Sequence, residues 1–147
     1  MQLQMRGRNA LITGASKGIG LAISRAFLGA GANVAIVARN QAGLDAAKRE
    51  LETAGSGNIV TITGDMGKAE DCARVFAAAE KALGSLDVLV NNAGTSKTGQ
   101  FETITDEVWQ ADLDLKLFAA IRLCRLAFPG MKARGFGRVI NVLNTSA

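Results

Sequence analysis

Eight consecutive residues, Thr13-Gly14-Ala15-Ser16-Lys17-Gly18-Ile19-Gly20, set three glycines in a Gly-x-x-x-Gly-x-Gly spacing. That spacing suits a loop built to hold an anion. Gly14 permits a tight turn off a strand, Gly18 lets the backbone approach a pyrophosphate, and Gly20 lets the next helix pack closely. The unpaired N–H groups and positive dipole at the start of that helix then face the phosphates. A glycine triplet alone is also what a flexible turn looks like, so its weight comes from the strand before it and the helix after it.

Two cations extend this chemistry. In dinucleotide-binding domains an acidic residue after the second strand holds the ribose 2′-hydroxyl. Here the corresponding segment reads Val37-Ala38-Arg39-Asn40 and contains no carboxylate. Arg39 has the planar fork that suits a 2′-phosphate, and Lys17 in the glycine loop is a second cation for the same group. Each taken singly is equally well a solvent-facing loop cation. Their joint placement, with the acid missing, favours NADP over NAD.

The elements that must position these residues alternate short apolar runs with helical patterns. Strands are expected at Asn9 to Thr13, Asn33 to Ala38, Asn58 to Thr63, Leu86 to Val90 and Arg138 to Leu143. Helices are expected at Leu21 to Ala30, Ala42 to Ala54, Lys68 to Leu83 and from about Asp106 towards Ala133, with Gly31, Gly55 and Gly84 closing the first three. Apolar strands alternating with helices predict an α/β fold with a doubly wound parallel sheet, an NAD(P)-binding Rossmann fold. Residues 1–147 read as one Rossmann domain, the N-terminal part of a longer single domain truncated after its fifth strand. In the last helix Leu113, Leu117, Ala120, Ile121, Cys124 and Phe128 recur at three- and four-residue steps as one apolar stripe. Pro129 is expected to kink or end that helix near Phe128. Trp109 and the six phenylalanines are assigned to packing.

Composition narrows the function classes. Nearly half of the 147 residues (48%) are apolar and 20% are charged, enough for a buried core and too apolar for disorder. The net charge of +4 comes without a basic run or interleaved aromatics, so no nucleic-acid partner is expected. With no histidine and two distant cysteines, Cys72 and Cys124, a zinc site of the usual kinds is excluded. The N-terminal MQLQMRGRN lacks the apolar run of a signal peptide, and no membrane span is expected. A cytoplasmic setting is the default.

TGASKGIG resembles the cofactor loop of the short-chain dehydrogenase/reductase family. Asn91-Asn92-Ala93-Gly94, after the fourth strand, is similar to that family's second hallmark. Asp65, after the third strand, stands where the family has an aspartate near the adenine, and Gly137-Arg138-Val139-Ile140-Asn141 resembles its fifth strand. The likeness runs from about Gly7 to Asn141. It implies hydride transfer between NADP(H) and a carbonyl or alcohol, with Gly14, Ser16, Lys17, Gly18, Ile19, Gly20, Arg39, Asp65, Met66, Asn92, Ala93 and Gly94 holding the cofactor. It also implies a small-molecule carbonyl/alcohol substrate and a homo-oligomer, dimer or tetramer, with the long helix in the interface.

The catalytic half departs from the family pattern. The family uses a tyrosine acid/base tuned by a lysine, since a free phenol's pKa of about 10 is too high for efficient work near neutrality. The chain has no tyrosine. The resemblance places that tyrosine a little over a dozen residues after the family's serine, beyond Ala147. The asparagine of the long helix, counted from Trp109, falls on Lys116, which points either into a cleft or along the surface. The serine position falls on Asn144, followed by Thr145 and Ser146; a shifted loop would let Ser146 serve, and Asn144 can donate from its amide. The catalytic candidates are therefore Lys116, Asn144 and Ser146. The alternative reading is a non-catalytic dinucleotide-binding module of the same fold.

Overall fold

The computed structural model describes residues 4–95 and 99–143. Five strands, β1 (Asn9–Thr13), β2 (Asn33–Ala38), β3 (Ile59–Thr63), β4 (Val88–Asn91) and β5 (Arg138–Asn141), form one sheet in the order β3-β2-β1-β4-β5. Every pairing is parallel. The helices are α1 (Gly18–Gly29), α2 (Gln41–Leu51), α3 (Ala69–Leu83), α4 (Asp106–Leu113) and α5 (Ala119–Arg134).

The strands are apolar because both faces of the sheet are covered. Leu11, Ala35, Val37 and Leu89 point to one layer, where they meet Val75 and Phe76 of α3 and Leu123 of α5. Their neighbours Ala10, Ile12, Val34, Ile36, Val88 and Val90 point to the other, against Leu28 of α1 and Leu44 and Leu51 of α2. This period-two split between two helical layers is what a near-continuous apolar strand requires. The order reverses at β1, whose neighbours are β2 on one side and β4 on the other. Such a switch point leaves a crevice at the carboxyl ends of the strands.

The boundaries shift in ways that matter for the site. α1 begins at Gly18, not at Leu21, so two of the loop glycines, Gly18 and Gly20, lie in its first turn. α2 stops at Leu51 and not at Ala54, and β5 at Asn141 and not at Leu143.

The long C-terminal helical region differs most from expectation. It is interrupted by a π-helical turn at Asp114–Phe118, between α4 and α5. One extra residue in a turn rotates everything after it by about 100° relative to an uninterrupted helix. The buried face of α5 is Ala119, Leu123, Ala127 and Met131. Most of the expected stripe, including Leu113, Leu117, Ile121 and Phe128, is exposed. Ile121 is two residues from both Ala119 and Leu123, some 200° around the helix, so α5 carries apolar residues on opposite sides.

Pro129 does not end the helix either. α5 continues to Arg134 and closes on Gly135, in the left-handed region at φ 67°. Proline deprives the Arg125 carbonyl of its helical donor; Arg125 lies on the exposed side, where water can replace it. Packing holds for Phe27 and Phe76, which are buried. Phe101 and Trp109 are exposed and meet each other edge-to-face at 6.5 Å, and Phe136 lies under the guanidinium of Arg8 at 3.7 Å. These aromatics pack locally on the surface, not in the core.

Candidate functional site

The loop after β1 is fastened to the loop after β4. Thr13 Oγ1 donates to the carbonyl of Val90 at 3.3 Å and accepts from the backbone N–H groups of Asn92 and Ala93, both at 3.0 Å. The amide of Asn92 donates to the carbonyls of Thr13 (3.0 Å) and Gly14 (3.1 Å). Both of its amide hydrogens are thus engaged with the glycine loop, and Asn92 acts as the strut that fixes the loop's position. This explains the pairing of the two motifs on the switch-point strands: one shapes the cradle and the other braces it.

The glycines divide their tasks. Gly14 adopts φ 65°, and a Cβ there would lie 2.9 Å from Cα of Ala93. A Cβ on Gly20 would lie 2.5 Å from the carbonyl oxygen of Gly14 and 2.6 Å from Nδ2 of Asn92. Gly20 packs the helix onto the loop and its strut, a closer partner than the sheet expected from sequence. Gly18, at φ 59°, has no atom of the described residues within 4 Å of a Cβ position, its chain neighbours and its own helix backbone aside. It therefore borders open space at the first turn of α1, where an approaching phosphate needs bare backbone. Ile19 is 63% exposed beside it, an apolar side chain suited to cover by a ligand. Ser16 and Lys17 complete the loop; Lys17 is the N-cap residue of α1.

At the other end of the crevice a cleft of about 300 Å³ is lined by Arg39, Thr63, Gly64, Asp65, Asp71 and Arg74. β2 delivers Arg39 and β3 delivers Asp65, since Ala38 pairs with Thr63 and the Gly64 N–H donates to the Ala38 carbonyl at 2.9 Å. Among the described residues neither Arg39 nor Lys17 has a carboxylate within 4 Å. Asp65 accepts from the Gly67 N–H at 3.0 Å, closing a tight turn. Met66 next to it is buried in the core, so only its backbone is free to meet a ligand. Ala93 is half-buried and Gly94 exposed beyond the strut.

Arg74 and Asp71 escaped the sequence reading, because no motif marks them; only the approach of α3 to the end of β3 brings them in. Three hydrogen bonds hold Asp71: its carboxylate accepts from the Asp65 N–H at 2.8 Å and from Nε and Nη2 of Arg74 at 3.2 and 2.7 Å. That backbone N–H and then the guanidinium keep its pKa below the usual carboxylate value. Cys72, next to it, is buried, and burial raises its thiol pKa; it is a packing residue.

The catalytic candidates fare unevenly. Lys116 lies in the π-helical turn and forms an ion pair with Asp112 at 3.0 Å. It stands on the turn just before Ala119, the first buried residue of α5. The same turn is tied to the Asp65 loop through Arg122, which pairs with Asp114 at 3.1 Å and reaches the Gly67 carbonyl at 3.5 Å. Asn144 and Ser146 lie outside the described residues. The strand preceding them, β5, ends at Asn141, whose Oδ1 accepts from the Asn91 amide at 2.9 Å. Among the described residues no cluster of side chains is arranged to hold a metal ion, and no helix is long and apolar enough to cross a membrane.

Comparison with known proteins agrees with this geometry. Residues 8–147 match the family described as short chain dehydrogenase. The chain is 40% identical over 142 residues to D-beta-hydroxybutyrate dehydrogenase of Cupriavidus necator, covering 96% of this chain and 54% of that protein. It is 38% identical over 135 residues to acetoacetyl-CoA reductase of Shinella zoogloeoides, covering 92% of this chain and 54% of that one. The chain thus spans about half the length of these curated relatives. Among solved structures, L-sorbose reductase from Gluconobacter frateurii, complexed with NADPH and L-sorbose, superposes with a TM-score of 0.91 at 38% identity, over 96% of this chain and 54% of that one. A metagenomic short-chain oxidoreductase in complex with NADP gives a TM-score of 0.90 at 35% identity, over 97% of this chain and 64% of that one. A glycine loop braced by the Asn-Asn-Ala-Gly segment, on a sheet of this order and with these matches, means that the chain belongs to the short-chain dehydrogenase/reductase family.

Proposed function

We propose that this chain is the cofactor-binding part of an oxidoreductase that transfers a hydride between NADP(H) and a carbonyl/alcohol pair. The observation that carries the cofactor choice is the pair Lys17 and Arg39: two exposed cations, one in the glycine loop and one directly after β2, neither with a carboxylate within 4 Å among the described residues. A 2′-phosphate supplies the anion they lack. The similar structures solved with NADPH or NADP support the same choice. Bound NADP(H) supplies the hydride; the chain's own residues place it. The first turn of α1 and Gly18 receive the pyrophosphate, Ile19 covers it from water, and Asp65 with the Met66 backbone bounds the adenine. The named relatives are dehydrogenases and reductases, which favours an enzyme over a non-catalytic binding module. Fluorescence titration of the intact protein is expected to show NADPH bound more tightly than NADH. Equal affinities, or tighter NADH, would refute the reading.

On the catalytic side Lys116 takes the place of the family's helix asparagine. Asp112 orients its ammonium, so Lys116 offers only donors to a proton relay where an asparagine amide would offer donors and an acceptor. Asn144 and Ser146 are proposed to orient the substrate oxygen. Lys116→Ala is expected to lower kcat about ten-fold or more, within the range for proton-transfer groups, while the dissociation constant for NADPH stays unchanged. A kcat within two-fold of the parent would assign Lys116 to the surface.

The exposed apolar side of α4 and α5 supports self-association. Leu113, Leu117, Ile121 and Phe128 are large apolar side chains exposed to solvent, and a second copy of the same helices offers the same side chains in return. Leu117→Glu with Ile121→Glu is expected to convert a dimer or tetramer to smaller species by light scattering. A monomeric parent protein would end this part of the proposal.

A further inference from the structure

Arg74 lies in none of the motifs read from the sequence, yet it forms one wall of the cleft that Arg39 and Asp65 also line. Resting on the dinucleotide reading above, we infer that Arg74 is a binding residue for the adenine ring, presenting the flat face of a fixed guanidinium to a purine seated beside Asp65.

The guanidinium is held at three points before any ligand arrives. Its Nε and Nη2 donate to Oδ1 of Asp71 at 3.2 and 2.7 Å, and Nη2 donates also to the Thr63 carbonyl at 2.9 Å. Asp71 is itself anchored through its other oxygen, which accepts the Asp65 N–H. An arginine tied down in its own plane keeps both faces for stacking and loses little further freedom on binding. Gly64 adds no side chain beside it: a Cβ there would lie 2.6 Å from Val75 Cγ2 and 3.6 Å from Arg74 Nη2.

The surroundings select the chemistry of the occupant. A phosphate at Arg74 would face a charge already neutralised by Asp71 and would lie close to the carboxylate of Asp65 as well. Among the described residues Arg39 is paired with no carboxylate. The anion therefore belongs at Arg39 and a neutral group at Arg74. A planar, electron-rich ring gains cation–π and stacking energy from a guanidinium. Oδ2 of Asp65 has no hydrogen-bond partner among the described residues, since Oδ1 takes the Gly67 N–H. It can accept from an exocyclic amine. A ring with an amine on its edge is what the two residues fit together.

The test is a set of binding titrations on the intact protein with NADPH and NADH. Arg74→Ala is expected to weaken both by the same factor, about five- to thirty-fold, because both carry adenine. Arg74→Lys keeps a charge for Asp71 and loses the flat face; it is expected to weaken both equally as well, and it carries the test alone should the alanine variant fail to fold. A loss confined to NADPH would make Arg74 a phosphate ligand and overturn the inference. Unchanged affinity for both would overturn it too. The dinucleotide reading fails by a different sign, a parent protein that binds neither dinucleotide, and the inference then falls with it.

Discussion

Arg39→Asp is expected to reverse the dinucleotide preference, weakening NADPH by about a hundred-fold and leaving NADH bound as tightly as before or somewhat more tightly. A charge-assisted hydrogen bond contributes about 1.5–3 kcal/mol, and an arginine fork can make two to one phosphate. Every 1.4 kcal/mol is a factor of about ten. The substitution also sets a carboxylate against a dianion, while offering the ribose 2′-hydroxyl of NADH the acceptor that acidic residues supply at this strand end. Arg39 is exposed and makes no ion pair among the described residues. Its replacement should therefore leave the fold intact, and a melting temperature within about 2 °C of the parent checks this. An unchanged ratio of the two dissociation constants would remove Arg39 from the site. Lys17→Ala should move the ratio in the same direction by less, since a lysine meets phosphate as a point charge without the fork.

Gly20→Ala is expected to have the largest effect on the fold. The new methyl would be 2.5 Å from the Gly14 carbonyl oxygen and 2.6 Å from Nδ2 of Asn92. Neither can yield cheaply. The first is backbone in the tightest part of the loop, and the second is held by two carbonyls, those of Thr13 and Gly14. Overpacking of this kind costs about 1–3 kcal/mol, a fall in melting temperature of roughly 4–12 °C. Because the clash pushes the helix off the loop and its strut, dinucleotide binding should fall with stability. Gly18→Ala is the informative comparison. Among the described residues its methyl meets no atom within 4 Å beyond its own neighbours and helix backbone, so its cost in the free protein is the left-handed backbone at φ 59°, about 1–2 kcal/mol. Its methyl would nevertheless stand in the space left for the pyrophosphate. Gly18→Ala should thus cost proportionally more binding than stability, and Gly20→Ala should cost both. If the two variants bind and melt alike, the division of labour between these glycines is wrong.

The amino-acid sequence by itself determined the class of fold, the order of its elements and the chemistry of one end of the site. These are local matters. Five apolar runs separated by helical patterns leave few topologies open, because parallel strands need crossovers and the crossovers have one hand. Gly14, Gly18 and Gly20 are legible because their spacing is set by a turn and a helix start that occupy eight residues of continuous chain. Arg39 is legible because it follows directly on a strand whose end is recognisable.

What only the tertiary structure decided involves residues far apart in the chain, or a phase that a local rule carries wrongly. Asn92 reads as a cofactor residue in sequence, and its part as a strut shows only in the fold, because its partners Thr13 and Gly14 lie 79 and 78 residues away. Arg74 and Asp71 carry no motif, and they enter the cleft only because α3 returns past the end of β3. The exposed and buried sides of α5 were interchanged because the helix is apolar on opposite sides, Ile121 and Phe128 on one and Leu123, Ala127 and Met131 on the other, and apolar spacing does not say which side meets the core. Pro129, expected to kink or end the helix, does not end it, and Ala127 and Met131 are buried on either side of it. Local propensity acts over a few residues, whereas each of these outcomes was set by a contact made across the sheet or between layers, and such contacts exist only once the chain has folded.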